Sequence, residues 1–126
     1  MLIVFGPALL MLIASVLVML FLPHPVPRTA VGGQRLYLTY CATCHAANGH
    51  GSWRAWLFLM RPGDLGDARL IATRSDEYLL TLIKNGGATI GKPVMPAFGY
   101  HLTDEQIREI VRYVRTLPGA GIRSSR

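Results

Sequence analysis

Two thiols and an imidazole stand together in Cys41-Ala42-Thr43-Cys44-His45, and the chain has no other cysteine. Thiols about one helical turn apart are spaced to add across the two vinyl groups of a single porphyrin. A histidine directly after the second thiol then lies under the iron and offers it a ring nitrogen. Cys-x-x-Cys-His is the attachment signature of covalent haem. A structural zinc site needs four ligands, usually from a second such pair, and none exists. A thioredoxin-like dithiol is met where a strand leads into a helix of a βαβ unit, and nothing around Cys41 has that pattern. One covalently bound haem c, an iron cofactor, is therefore expected on Cys41, Cys44 and His45.

The second iron ligand is less determined by spacing. Residues 86–102, GGATIGKPVMPAFGYHL, form a stretch held open by glycines and prolines, with Met95 lying 50 residues after His45. A thioether opposite His45 completes a six-coordinate iron and favours the ferrous form relative to two histidines. Pro96 fixes the backbone beside it. Against this, a methionine in an apolar stretch is more often packing than ligand. Met60, His50 and His101 are the other candidates. His50 follows His45 too closely to cross easily to the opposite haem face, and His101 precedes a helix cap and reads as exposed. On the residues alone these alternatives stay open.

The elements that must hold these groups are helical. A first helix is predicted over 32–44, opened by Gly32-Gly33, with Leu36, Tyr37 and Tyr40 at helical spacing. From Ala46 to Thr73, Gly49, Gly51, Pro62, Gly63 and Gly66 break any long element, around an apolar run from Ala55 to Met60 long enough for a short helix. A second helix runs from Ser75 to about Asn85, with Ser75 as N-cap, Asp76 and Glu77 at its positive end and Gly86 closing it. The third starts at a capping box of Thr103 and Gln106. Ile107, Ile110, Val111, Val114 and Leu117 form its apolar stripe, Asp104 and Arg108 an i,i+4 pair, and Pro118-Gly119 stops it.

The composition is uneven. The chain has 126 residues, 51% of them hydrophobic, and its mean hydropathy of +0.32 is high because of one segment. Residues 2–22 contain no charged side chain, and no charge precedes Arg28. As a helix this stretch extends about 31 Å, the thickness of a bilayer's hydrocarbon core. It lacks the basic n-region and the small-x-small cleavage site of a secretory signal. A single-span anchor over 2–22 is expected, then a Pro-rich spacer over 23–31, a haem domain over 32–118 and a flexible tail over 119–126. Pro23, Pro25 and Pro27 favour an extended rod, about 20–25 Å over residues 23–30. The net charge of +6 lies wholly beyond the anchor, and Arg28, Arg35, Arg54 and Arg61 are separated by no acid. Such a face suits anionic head groups or an acidic redox partner. Nucleic acid has no motif here.

Gly33-x-x-x-Tyr37, Cys-x-x-Cys-His, Met-Pro-Ala-Phe-Gly and the Leu-Thr-Asp-Glu-Gln-Ile start of the last helix together resemble class I cytochrome c. The likeness covers residues 30–118 and is greatest to small, membrane-anchored bacterial monohaem domains. It implies an all-α haem domain in which Cys41, Cys44 and His45 hold the haem and Met95 is the distal ligand. It further implies a crossing of first and last helices near Gly33 and Tyr113, and a backbone acceptor near Pro62 for the other nitrogen of His45. Haem attachment in such proteins takes place outside the cytoplasmic membrane, which would put the domain on the periplasmic side of the inner membrane. Pro62-Gly63-Asp64-Leu65 departs from the usual Pro-x-Leu by one residue, and the Trp-rich run before it is atypical.

One-electron transfer between redox protein partners at a lipid bilayer is the function these residues imply, with no small-molecule substrate and no catalytic residue of the chain's own. A larger respiratory or photosynthetic membrane complex is the expected setting. The rival is a haem sensor or enzyme whose distal ligand is displaceable.

Overall fold

The computed structural model describes residues 2–23 and 25–119, with side chains from Gly6 onward; the expected tail lies almost wholly outside these. Among the described residues every regular element is helical. In order they are α1 (Leu2–Phe21), α2 (Gly32–Tyr40), α3 (Ala42–His45), α4 (Trp53–Leu57), α5 (Ala68–Ala72), α6 (Asp76–Asn85), a 3-10 turn (Ala88–Ile90) and α7 (Asp104–Val114).

The core lies between α2, α6 and α7. Residues Tyr37 and Leu38 of α2, Leu79, Leu80 and Ile83 of α6, and Ile107, Ile110, Val111 and Val114 of α7 are buried together. Ile107 and Ile110 are fully buried, and burying each such side chain stabilises by about 1.5–3 kcal/mol. The tightest contact is where α2 crosses α7. A Cβ on Gly33 would stand 2.0 Å from the Glu109 carbonyl oxygen and 3.2 Å from the Tyr113 Cβ. Tyr37 and Tyr113 pack beside that point, ring centroids 5.3 Å apart. The expected crossing is thus present.

Helix ends follow local chemistry. Ser75 accepts from the Tyr78 N–H, and Gly86, at φ +79, closes α6. The Thr103–Gln106 capping box is complete. Helix α7 stops earlier than its apolar stripe: Thr116 turns back, with both its N–H and its hydroxyl donating to the Tyr113 carbonyl. Asp104 pairs with Lys84 of α6 at 2.8 Å, not with Arg108, which reaches Glu105 instead. A tie between two helices therefore replaces the expected tie within one. Arg115 at the end of α7 bonds Asp76 and the carbonyls of Ile71 and Arg74.

The N-terminal region differs from a free rod. Val26 packs on the core, Ala30 is buried, and the Ala30 N–H closes a turn on the Pro27 carbonyl at 3.0 Å. The packed domain therefore begins before residue 32. Helix α1 has 20 residues and includes Pro7. Among the described residues no helix is long and apolar enough to cross a membrane. The expected span over 2–22 draws partly on the side chains of 2–5, which lie outside the description.

Candidate haem centre

The predicted helix over 32–44 is broken at Cys41, and the break shapes the site. The Cys41 N–H closes α2 on the Tyr37 carbonyl at 2.8 Å. Its own carbonyl then accepts from the Cys44 N–H at 3.1 Å and the His45 N–H at 2.9 Å, starting the one-turn α3. Both thiols are free and half-buried. Burial, then the neighbouring Cys44, push the Cys41 thiol up to about 12; burial also raises Cys44. Both are held as neutral thiols near neutral pH.

His45 is oriented by one hydrogen bond. Its Nδ1–H donates to the Gly63 carbonyl at 3.1 Å. Burial lowers the His45 pKa, against the smaller upward effect of that bond. The imidazole is therefore neutral, and with the proton on Nδ1 its Nε2 lone pair is free for a metal. The acceptor expected near Pro62 is one residue further along.

The backbone after His45 is strained. Ala46 stands at φ +59, a conformation costing on the order of 1–3 kcal/mol for a residue with a side chain. The Tyr37 hydroxyl donates to the Ala46 carbonyl at 2.7 Å, so the buried phenol is satisfied. Burial, with smaller effects from Cys41 and Tyr113, holds that phenol well above its usual pKa. Nothing in the sequence marks Tyr37 for this bond, since its helical spacing already accounts for it as core.

The departure at Asp64 has a structural role. One Asp64 oxygen accepts from His50 Nδ1 at 2.8 Å, the Gly66 N–H at 2.9 Å and the Asp67 N–H at 3.1 Å. The His50 ring lies against Gly66, where a Cβ would stand 2.4 Å from it. His50 is thus engaged in fastening the loop that carries Gly63. Burial raises the Asp64 pKa, but the His50 bond, the Gly66 N–H, the His50 charge and the Asp67 N–H outweigh it and hold the carboxyl below its usual range. A carboxyl depressed on folding stabilises above its unfolded pKa, about 3.9, and loses that contribution as pH falls through the lower folded value. Asp64→Asn should therefore lower the denaturation midpoint at neutral pH, with the gap to the native chain closing below about pH 4. A gap independent of pH would show that the carboxylate charge is not what holds the loop.

Met95 lies on a separate, fastened loop. It packs partly buried against the core, and its carbonyl accepts from the Gly87 N–H at 3.0 Å. Beyond it, the Phe98 and Gly99 N–H groups donate to the Ile83 and Lys84 carbonyls. Lys92 Nζ donates to the Arg61 carbonyl at 2.9 Å, joining the Met95 loop to the segment that holds Gly63. No spacing or motif marks this tie. Met60 borders a hollow with His50, Trp53, Trp56 and Pro62, while His101 is exposed in a turn before α7.

This donor set fits a haem: two free thiols on one turn, a neutral imidazole with one nitrogen held and the other free, and a thioether on a loop of its own. Among the described residues no three His, Cys, Asp or Glu side chains come together to hold a metal ion directly. Residues 28–114 match the family described as cytochrome c oxidase, cbb3-type, subunit III. The chain belongs to that cytochrome c family. A solved c-type cytochrome, KustC0563, is 30% identical to this cytochrome, with 69% of this chain and 98% of that one covered at a TM-score of 0.58. The gluconate 2-dehydrogenase cytochrome c subunit of Pantoea cypripedii is 26% identical over 99 residues. The cytochrome spans 74% of itself but only 21% of that curated relative's length in this match. Membership implies covalently bound haem c and cytochrome c-type electron transfer.

Proposed function

We propose that this cytochrome is a monohaem electron carrier, anchored in the membrane by α1, that serves a larger redox complex. Haem c would be held by Cys41 and Cys44, with His45 Nε2 and Met95 Sδ as axial ligands. The observation that carries this reading is the His45 bond to Gly63, which orients the imidazole, kept neutral by burial, beside two free thiols. When bound, the haem supplies a one-electron couple. The chain's own contribution is positional. Gly63 fixes the proximal ring, Asp64 and His50 fix Gly63, and Lys92 fixes the Met95 loop against the same segment. With Met95 as well as His45 holding the iron, no position would be left on it for a substrate, which favours a carrier over a sensor or enzyme.

Membrane anchoring rests on the uncharged run 2–22 and on α1, whose 20 residues extend about 30 Å. The haem domain would lie on the periplasmic side. The expectation of a larger complex is supported by the relative, named as a subunit of a dehydrogenase. Its substrate is not carried over. Reduced protein should bind carbon monoxide negligibly near neutral pH; ready binding would favour the displaceable-ligand reading. Full-length chain should stay with membranes through high-salt and carbonate washes, and release by salt alone would remove the span. A chain starting at Thr29 would lose Val26 from the core and the Pro27 carbonyl that accepts from the Ala30 N–H. One starting at Pro25 is therefore the better soluble form, expected to react with the native partner more slowly than the tethered chain at equal concentration.

A further inference from the structure

The run from Trp53 to Leu59 is the largest feature that electron transfer leaves without a role. Trp53, Trp56, Leu57, Phe58 and Leu59 are all exposed, Trp56 by 73% and Leu59 by 87%. Leu59 also holds φ +56, a conformation costing on the order of 1–2 kcal/mol for a residue with a Cβ. A strained backbone that turns a leucine outward is an arrangement solvent alone does not reward.

This run is tied to the end of α1. Arg54 reaches back and donates to the Met19 carbonyl in its last turn at 2.5 Å and to the Leu22 carbonyl just past its end at 2.6 Å. Those carbonyls have no partner further along the helix, so a guanidinium there satisfies them and complements the negative helix end. Beside this clamp, Val16, Met19 and Leu20 of α1 line one apolar groove with Trp53 and Leu57 of α4. The apolar surface of α1 thus continues without interruption onto α4.

From this continuity we infer that residues 53–59 lie in the head-group region of the bilayer, as a second, interfacial contact of the haem domain. The inference rests on the reading of α1 as a membrane anchor. It commits to lipid as the occupant for three reasons. The surface is continuous with α1 at its C-terminal end, the depth at which a spanning helix leaves the hydrocarbon. Tryptophans are the side chains that favour that depth. Arg28, Arg35 and Arg61, with no acid between them in the sequence, complement anionic lipid head groups. The domain would then rest on the membrane, fixed at two points, in place of standing off it on a rod.

The test uses the full-length, haem-loaded chain in phosphatidylcholine vesicles with a minority of phosphatidylglycerol, carrying a phospholipid with a photoactivatable diazirine near the glycerol. After illumination and proteolysis, label should appear on α1 and on peptides covering residues 53–59, the latter about tenfold above α7. Arg54→Gln, which removes the clamp and touches no haem-binding residue, should reduce label on 53–59 at least about threefold with α1 unchanged. Leu59→Asn, which tolerates the positive φ, should reduce it with the haem spectrum intact. Label on α1 with none on 53–59 would overturn the inference and leave the anchor standing. Label on neither would overturn both. Label on 53–59 alone would support the surface contact and remove the span.

Discussion

Gly33→Ala is expected to destabilise the domain by on the order of 3 kcal/mol or more, although it adds one methyl group. The added carbon would stand 2.0 Å from a backbone oxygen, that of Glu109, and a backbone atom in a hydrogen-bonded helix cannot turn aside as a side chain can. The two helices must separate. Separation loosens the packing of Tyr37 on Tyr113 and, through Tyr37, the hydrogen bond on the strained Ala46 carbonyl. The change should appear as a lower denaturant midpoint and as a disturbed haem environment, because Ala46 follows His45 directly. Gln34→Ala, one residue along on the exposed side of α2, should stay within about 0.5 kcal/mol of the native chain. Equal midpoints for the two variants would mean that α2 and α7 do not meet at Gly33.

Met95→Ala should remove the long-wavelength sulfur-to-iron band and lower the reduction potential. A shift on the order of 0.1 V is reasonable within the roughly 0.8 V that axial ligation spans. The loop itself should survive, since its fastenings run through backbone groups and Lys92: the Gly87 N–H to residue 95, Phe98 to Ile83, Gly99 to Lys84, and Nζ to Arg61. The variant therefore separates ligation from folding. An unchanged spectrum would transfer the distal role to Met60 or to a histidine. His50 is the poorest of these, because its ring is already bonded to Asp64 and packed on Gly66.

What could be read from the residues was local chemistry. Ser75, Thr103 and Gln106 cap where their side chains predict, because a cap bonds only to its own next turn. Gly33 was legible because a family pattern marks it. Less legible was anything decided between segments that are distant in sequence. Asp104 had a suitable partner on its own helix and took Lys84 on another. The break at Cys41 was hidden by good helical spacing on both sides of it. The acceptor for His45 fell on Gly63, because Asp64 gathers three donors and draws the loop around itself. The proline run suggested a free rod, but Val26 and Ala30 each had a place on the core. Arg54 read as one charge of a basic face, and no spacing rule relates it to carbonyls some thirty residues earlier.

Glu109 follows Gly33 by 76 residues, and this separation puts events in an order. Synthesis delivers the Cys41–His45 segment well before α7, the helix against which α2 must close. Until α7 is complete, Tyr37 faces no Tyr113, Gly33 faces no carbonyl, and the turn bearing the thiols belongs to a half-built wall. Closing so long a loop is a late, non-local step, to be met before the contacts that reward it exist. The open chain therefore offers its thiols and imidazole for reaction during an interval that ends when α7 docks. A stop codon just before Asp104 would spare every expected haem ligand and still leave that interval without an end.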